Sequence, residues 1–345
     1  MKCLPSGPIN AKIAIVGESP NKDDVEAGTP FNGSAGKELT RMLKDAGINR
    51  DECYLTTVFQ DKAPGGKIEG FCGKKAEVGG KEYTLPPLRA GKYFKPEYLH
   101  EIDRLKTELT AVAPNIVIAL GAAACWALLS SGKITSLRGV VTTSTLIPEL
   151  KVLPTFNPAN VLKVWSNRPV TVLDLMKAAG EADSPIITRI RRELWIEPDI
   201  ADLWDFLPFL QAAEVIGVDI ETANKIITSI GFSSSKTKAI NIPFWDSRKA
   251  GGSYWKSAAM ECLAWVFVRH ILKLPNIKVM QNGMYDVQYL WKTMGMPVIN
   301  FTEDTMLLHH ALQPELQKGL GFLGSVYTNE AAWKEMRKPS NKKDE

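Results

Sequence analysis

The chain of 345 residues has little cysteine, less histidine, and nearly balanced charge. Its five cysteines, at 3, 53, 72, 125 and 262, are odd in number, and none are spaced Cys-x-x-Cys. That excludes a dense disulfide framework and favours a reducing compartment. Net charge is only +4, so the whole chain makes no electrostatic argument for nucleic acid, and any basic site must be local. Long apolar runs are also missing. "MKCLPSGPINAKIAIVG" has no apolar core behind its basic residue, so no signal peptide is expected. "AWVFVRHIL" is too short and too charged to span a bilayer. No internal repeat is visible. The rest, 45% hydrophobic and 23% charged, is the composition of a globular protein with a sizeable core, and the length suits two domains.

Along the chain, strands alternate with helices. "AKIAIVGESP" reads as a buried strand running into a Gly-containing loop, and "SAGKELTRMLKDAG" as an amphipathic helix closed by Gly47. "ECYLTTVF" is a second strand. Residues 60–97, rich in Gly, Lys and Pro, read as a long loop of the kind that usually has a function. "PEYLHEIDRLKTELTAVAP" is a helix, "NIVIALG" a strand, "AAACWALLS" a helix and "KVLPTF" a strand. This alternation implies a parallel sheet covered on both faces, with its functional loops at the carboxyl ends of the strands. Gly17, Thr57, Gly121 and Asn157 stand at such ends. Helix 169–179 runs into Gly180, a polar patch and Pro185, and a second α/β set follows: strands 215–220, 227–232 and 238–243, helix 256–273, strand 277–280 and helix 284–294. The expected division is a first domain at 1–182, a linker at 183–189, a second domain at 190–333 and a polar tail at 334–345.

The stretch "EVIGVDIETA" places two carboxylates, Asp219 and Glu221, on one face of a strand, because side chains alternate with a period of two. Their repulsion is relieved by a divalent cation, and oxygen ligands suit Mg²⁺ or Mn²⁺. A solvated or capping pair is the plainer alternative. "KVMQNGMYDVQYLW" adds Asn282 at a strand end and Asp286 at a helix start, where Asp286 either faces the pair as a third carboxylate or caps the helix. "VDIET", "SIGFS", a long amphipathic helix, "QNGMYD" and "EDTMLLHHAL" together resemble the 3′–5′ proofreading exonuclease domain of family A DNA polymerases, over about residues 190–330. The resemblance implies a ribonuclease-H-like fold with a mixed sheet and a two-metal mechanism. Asp219, Glu221 and Asp286 would be the metal ligands, and Asn282 would position the substrate strand. Asp304 matches a nearby acidic position that also suits a helix N-cap, and His309 and His310 read as packing or surface residues. The family's third motif, Tyr-x-x-x-Asp, is missing: Tyr327 is followed four residues later by Ala331.

In the first half, "VGESPNKDDVEAGTPFNGSAGKELTRML" resembles the first motif of the uracil-DNA glycosylase superfamily, in particular family 4 and phage proteins built on it. Gly17, Glu18, Pro20, Gly28, Pro30, Phe31, Gly33 and Gly36 match. "YLTTVF", "LPPLRAGKYFKPEYL", "PNIVIALGAAACWALL", "ITSLRG" and "LPTFNPANVL" follow in order, covering about residues 8–180. The resemblance implies base flipping, with Phe31 stacking on the base, Gly17, Glu18 and Pro20 lining the pocket, and Lys92, Lys95 and Arg138 meeting phosphates. Tyr83, Tyr93 and Phe94 fall among the lysines of the long loop, a combination that suits single-stranded DNA. Three departures weaken the catalysis. Thr57 stands where the family carries an Asn that reads the uracil edge. Asn157 stands where it carries a His; an Asn can donate to uracil O2 but cannot carry positive charge. Asp61 stands at one of four iron–sulfur cysteines, and no Cys pair opens the chain, so no iron–sulfur cluster is expected.

Three readings follow. The first is a phage-type replication or repair protein that fuses a weak or inactive glycosylase-like domain to a metal-dependent exonuclease. The second is a non-catalytic DNA-binding partner of a DNA polymerase. The third is an active uracil-DNA glycosylase with a degenerate exonuclease. The expected partners are DNA, as single strands or 3′ ends, and a polymerase chain that supplies the missing motif. No membrane is expected, and the location is the cytoplasm (the host's, if phage-encoded).

Overall fold

The computed structural model describes residues 2–330, so Ala331 and the tail 334–345 lie outside the described residues. There are two compact units. One comprises residues up to Thr188 together with those from Gly321 onward; the other is Arg189–Leu320. No helix among the described residues is long and apolar enough to cross a membrane.

The strands of the first unit are β1 (Ile13–Gly17), β2 (Cys53–Thr57), the two-residue β3 (Cys72–Gly73) and β4 (Tyr93–Phe94), β5 (Ile116–Leu120), β6 (Thr142–Thr143) and β7 (Lys151–Thr155). Its helices before Thr188 are α1 (Lys22–Ala27), α2 (Ser34–Asp45), α3 (His100–Val112), α4 (Ala122–Leu129), α5 (Ile134–Leu137), α6 (Pro158–Lys163) and α7 (Asn167–Gly180). The main sheet has the order β2-β1-β5-β7-β6 and is parallel except at the short β6 edge. Its central strands are apolar from end to end because both faces are covered. Ala14 and Val16 point into a core with Leu105, Leu109, Val117 and Trp126, while Ile15 points the other way, to Leu39, Met42, Ile118 and Leu175. β1, β2, β5 and β7 all end at one edge of the sheet, which brings Gly17, Thr57, Gly121 and Asn157 to that edge.

The long loop after β2 is not an open basic surface. Phe59 stacks on Phe71 at 4.3 Å, Phe94 lies 5.1 Å from Phe59 and 4.5 Å from Trp126, and Tyr98 closes on Phe71 at 4.8 Å. Tyr83 is buried and donates its hydroxyl to the Phe94 carbonyl at 2.8 Å. The aromatics expected to meet nucleic acid at 83 and 94 are therefore core residues, drawn inward by the apolar area they bury. Lys92 stays exposed and Lys95 half-buried.

In the second unit the strands are β8 (Glu193–Trp195), β9 (Val215–Ala223), β10 (Ile226–Ser233), β11 (Lys238–Pro243), β12 (Ile277–Met280) and β13 (Phe301–Asp304). The helices are α8 (Ile200–Ala212), α9 (Ala258–Lys273), α10 (Met284–Met294) and α11 (Thr305–Leu312). The sheet order is β13-β12-β9-β10-β11-β8. β10 runs antiparallel to β9 and β11, whereas β12 and β13 run parallel to β9, the mixed ribonuclease-H-like arrangement. β8 and β13, which no apolar alternation marks, complete its edges.

The last described helix, α12 (Leu320–Tyr327), belongs with the first unit from Gly321 onward. The Lys177 ammonium donates to the carbonyls of Gly139, Ser325 and Thr328 at 2.6–2.7 Å. Three of the orphan acceptors that a helix end and a turn leave behind are thus held by one cation. Asn329 donates to Glu181 at 3.1 Å. From sequence alone this segment falls within the second domain.

Candidate active sites

At the carboxyl edge of the first sheet, the loop after β1 carries Glu18 and the buried Pro20 into α1, and the next loop carries Phe31. The Phe31 ring lies against Gly17. A Cβ on Gly17 would come within 2.8 Å of the ring and 3.3 Å of the Thr57 methyl, so only glycine permits the approach. Gly17, Phe31 and Thr57 are therefore brought together as expected from their motifs. Thr57, however, is buried and donates its hydroxyl to the Phe59 carbonyl at 2.8 Å.

Glu18 and Asn157 meet across 139 residues of chain: Asn157 Nδ2 donates to Glu18 Oε2 at 2.8 Å, and the Ala123 N–H, in the first turn of α4, donates to Oε1 at 3.0 Å. Burial pushes the Glu18 carboxyl well above the usual range. The Ala123 and Asn157 hydrogen bonds oppose the shift, Glu69 adds to it and Arg89 subtracts from it. Asn157 also caps α6, accepting the Ala159 N–H at 2.9 Å. Its expected donation to a uracil oxygen competes with a bond already made to Glu18. The Ala123 amide was not foreseen. The only signal for it in the sequence is the Gly-Ala step that opens a helix at a strand end.

Arg138 does not reach outward to phosphate. It is 4% exposed and grips the Asp174 carboxylate with two nitrogens, at 3.0 and 2.5 Å, and Ser325 Oγ with a third at 3.0 Å. A buried guanidinium needs its countercharge inside the protein. Lys92 and Lys95 remain on the long loop; their backbone amides bond to Arg89 and Phe71 within it. The thiols of Cys3 and Cys72 are pushed up to about 11 and that of Cys53 to about 12, in each case chiefly by burial.

In the second unit, β9 shows the predicted alternation: Val218 and Ile220 are buried, Asp219 and Glu221 exposed on the other face. Asp286, in the first turn of α10, is buried and accepts the Ile220 N–H at 3.0 Å. Its carboxyl is raised to about 6 by burial; the Ile220 bond opposes the shift, and the charges of Asp219 and Asp304 add to it. Asp219 and Asp304 thus lie near enough to Asp286 for their charges to act on it. The expected three-carboxylate cage is not assembled: no group of three or more His, Cys, Asp or Glu among the described residues is arranged to hold a metal ion. One Asp286 oxygen, Oδ1, is taken up by the β9 backbone. In kind the donors suit a hard divalent cation; in number they fall short of a complete set.

Asn282 is exposed at the end of β12 with φ 57, its N–H held by Asp304 at 3.1 Å. Asp304 also accepts from Gly283 and Met306, so it fixes this loop and caps α11. His309 is buried and His310 exposed. Tyr285, unmarked in the sequence reading, reaches across to share a hydrogen bond with Thr222 at 2.8 Å, one residue beyond Glu221.

The model of the uracil DNA glycosylase superfamily matches residues 4–178. A type-4 uracil-DNA glycosylase of Thermotoga maritima is 28% identical over 176 residues, covering 50% of this chain and 78% of the relative. One from Archaeoglobus fulgidus is 30% identical over 112 residues, covering 32% and 44%. Among solved structures, the EXD2 exonuclease domain soaked in Mn and GMP is similar at 16% identity and a TM-score of 0.26, covering 43% of this chain and 76% of that one. Escherichia coli RNase D is similar at 16% identity and a TM-score of 0.29, covering 41% and 34%.

Proposed function

We propose, from the premise that the chain belongs to the uracil DNA glycosylase superfamily, a DNA-processing function divided between its two units. The first unit receives a flipped base against Phe31 and cleaves its glycosidic bond slowly or not at all. One observation carries this reading: the polar side chains that should face the base are already hydrogen-bonded within the protein. Thr57 donates to Phe59, Asn157 donates to Glu18, and Glu18 accepts from Ala123. Glycosidic cleavage needs donors aimed at the position where negative charge develops, and losing one typically costs on the order of 10²–10³ in rate.

The second unit is a 3′–5′ exonuclease site in which Asp219, Glu221 and Asp286, which form no three-carboxylate cage among the described residues, would close around a divalent cation, Mg²⁺ or Mn²⁺. The nearness of Asp219 to Asp286 supports this, because a cation relieves the repulsion that adds to the burial-driven rise of the Asp286 carboxyl. When bound, the cation supplies Lewis-acid charge for phosphodiester hydrolysis. The chain's own residues orient the site: Asp304 sets the Asn282 loop toward the substrate strand, and Tyr285 ties α10 to β9. The purified chain degrades DNA slowly, because two metals about 3.5–4 Å apart normally share more ligands than these. A carboxylate from outside these residues would complete the set, in the resemblance drawn above one supplied by a DNA polymerase.

Two assays test both halves. Uracil release from labelled DNA should stay far below that of the type-4 relatives. Isothermal titration should find one divalent cation bound, and Asp219→Ala should abolish it. Robust Mg²⁺-dependent digestion of a 3′-labelled single strand by the purified chain, lost in Asp219→Ala, would overturn the need for a further carboxylate. Absence of cation binding in the unaltered chain would remove the exonuclease reading altogether.

A further inference from the structure

Phe31 has φ 64, in the left-handed region where a bulky side chain is costly. Something must hold it there, and the peptide unit that follows shows what. Its carbonyl, that of Phe31, accepts from Arg50 Nη2 at 2.9 Å, and its N–H, that of Asn32, donates to Asp24 Oδ1 at 2.6 Å. One peptide plane is gripped at both ends by side chains of opposite charge. Arg50 stands in the turn between α2 and β2 and is half-buried. Its four hydrogen bonds all go to neutral acceptors: the carbonyls of Pro30, Phe31 and Gly36, and Thr40 Oγ1 at 2.7 Å. Gly36 leaves room for this arrangement, because a Cβ there would lie 1.9 Å from the Phe31 oxygen. Burial pulls the Arg50 pKa down, with Asp51 and Asp24 opposing.

We infer that Arg50 is a positioning residue for Phe31: its guanidinium fork holds the Pro30–Phe31 carbonyls against Gly36 and Thr40, so that the Phe31 ring stands over Gly17. A planar fork with several donors suits this task and a lysine ammonium does not. The inference rests on the proposed stacking role of Phe31, and the test separates the two.

Arg50→Lys, Arg50→Met and Phe31→Leu are made in the full chain. The first readout is the ring-current displacement of the Gly17 α-protons, defined as the difference between the unaltered chain and Phe31→Leu. Arg50→Met should lose most of that displacement, and Arg50→Lys a large part of it. The second readout is thermal: glycine accepts φ 64 freely, so Arg50→Met should lower Tm less in a Phe31→Gly background than in the unaltered one. If Arg50→Met does not fold, Arg50→Lys and Thr40→Ala carry the first readout. Unchanged Gly17 resonances in folded Arg50 variants, or equal Tm losses in the two backgrounds, would overturn the inference. The third readout is the anisotropy of a fluorescein-labelled, uracil-containing single strand. Phe31→Leu should weaken its binding roughly 5–150-fold if the base stacks there, and Arg50→Met should follow it. Unchanged affinity in Phe31→Leu defeats the stacking role, with the Gly17 resonances still deciding on Arg50. Loss in Phe31→Leu but not in Arg50→Met defeats the role of Arg50.

Discussion

Asp286 is an acid whose folded-state pKa is raised, from 3.8 to about 6, so folding favours its protonated form. The penalty for burying its charge is absent below the unfolded value and complete above the folded one. Stability should therefore fall as pH rises from about 4 to 6. Asp286→Asn should flatten that part of the profile, as followed by urea denaturation at each pH. Asp219→Asn should move the Asp286 titration, read by carboxyl ¹³C shifts, toward lower pH. In the first unit, Thr57→Asn together with Asn157→His restores both family donors and should raise uracil release by at least about tenfold in single-turnover assays. No gain would mean that the Glu18 network blocks the pocket by itself. The Asp219/Glu221 face was legible in the sequence because it depends only on the period of a strand. The Glu18–Asn157 bond was not, because its partners lie 139 residues apart and both side chains had plausible uses elsewhere.

At the scale of elements, the loop at 60–97 was recognisable by its length and its Gly and Pro, but its interior was not. Its aromatics alternate with lysines, a pattern that fits a nucleic-acid surface as well as it fits a core. Phe59, Phe71, Phe94 and Trp126 meet only after the chain has folded, and the Trp126 indole fastens the loop by donating to the Pro86 carbonyl at 2.7 Å. Phe71→Ala should cost about 3–5 kcal/mol in a denaturant titration, the range for a buried aromatic. Lys92→Ala, exposed on the same loop, should change stability by under about 0.5 kcal/mol. Strands β8 and β13 went unread because short edge strands make few packing demands on their sequence.

For the whole molecule, the seam near residues 180–190 carries the exposed residues Ile186 and Ile190 and is the expected site of first proteolytic cleavage. The nicked chain should nevertheless elute as one species in native gel filtration and separate in urea, because residues 321–330 stay fastened to the first unit by Lys177, Arg138 and Glu181. Separation without denaturant would show that this attachment is weak. A chain ended at residue 188 should lose stability in thermal melts, since Lys177 would then lack two of its three carbonyl partners. The same attachment imposes an order on synthesis at the ribosome. The last element of the first unit is translated only after the whole of Arg189–Leu320. At roughly 5–20 residues per second, about 130 intervening residues mean a wait on the order of ten seconds. Throughout that interval the nascent first unit carries Arg138 and Lys177 without Ser325, so its final closure reports that the second unit has already emerged.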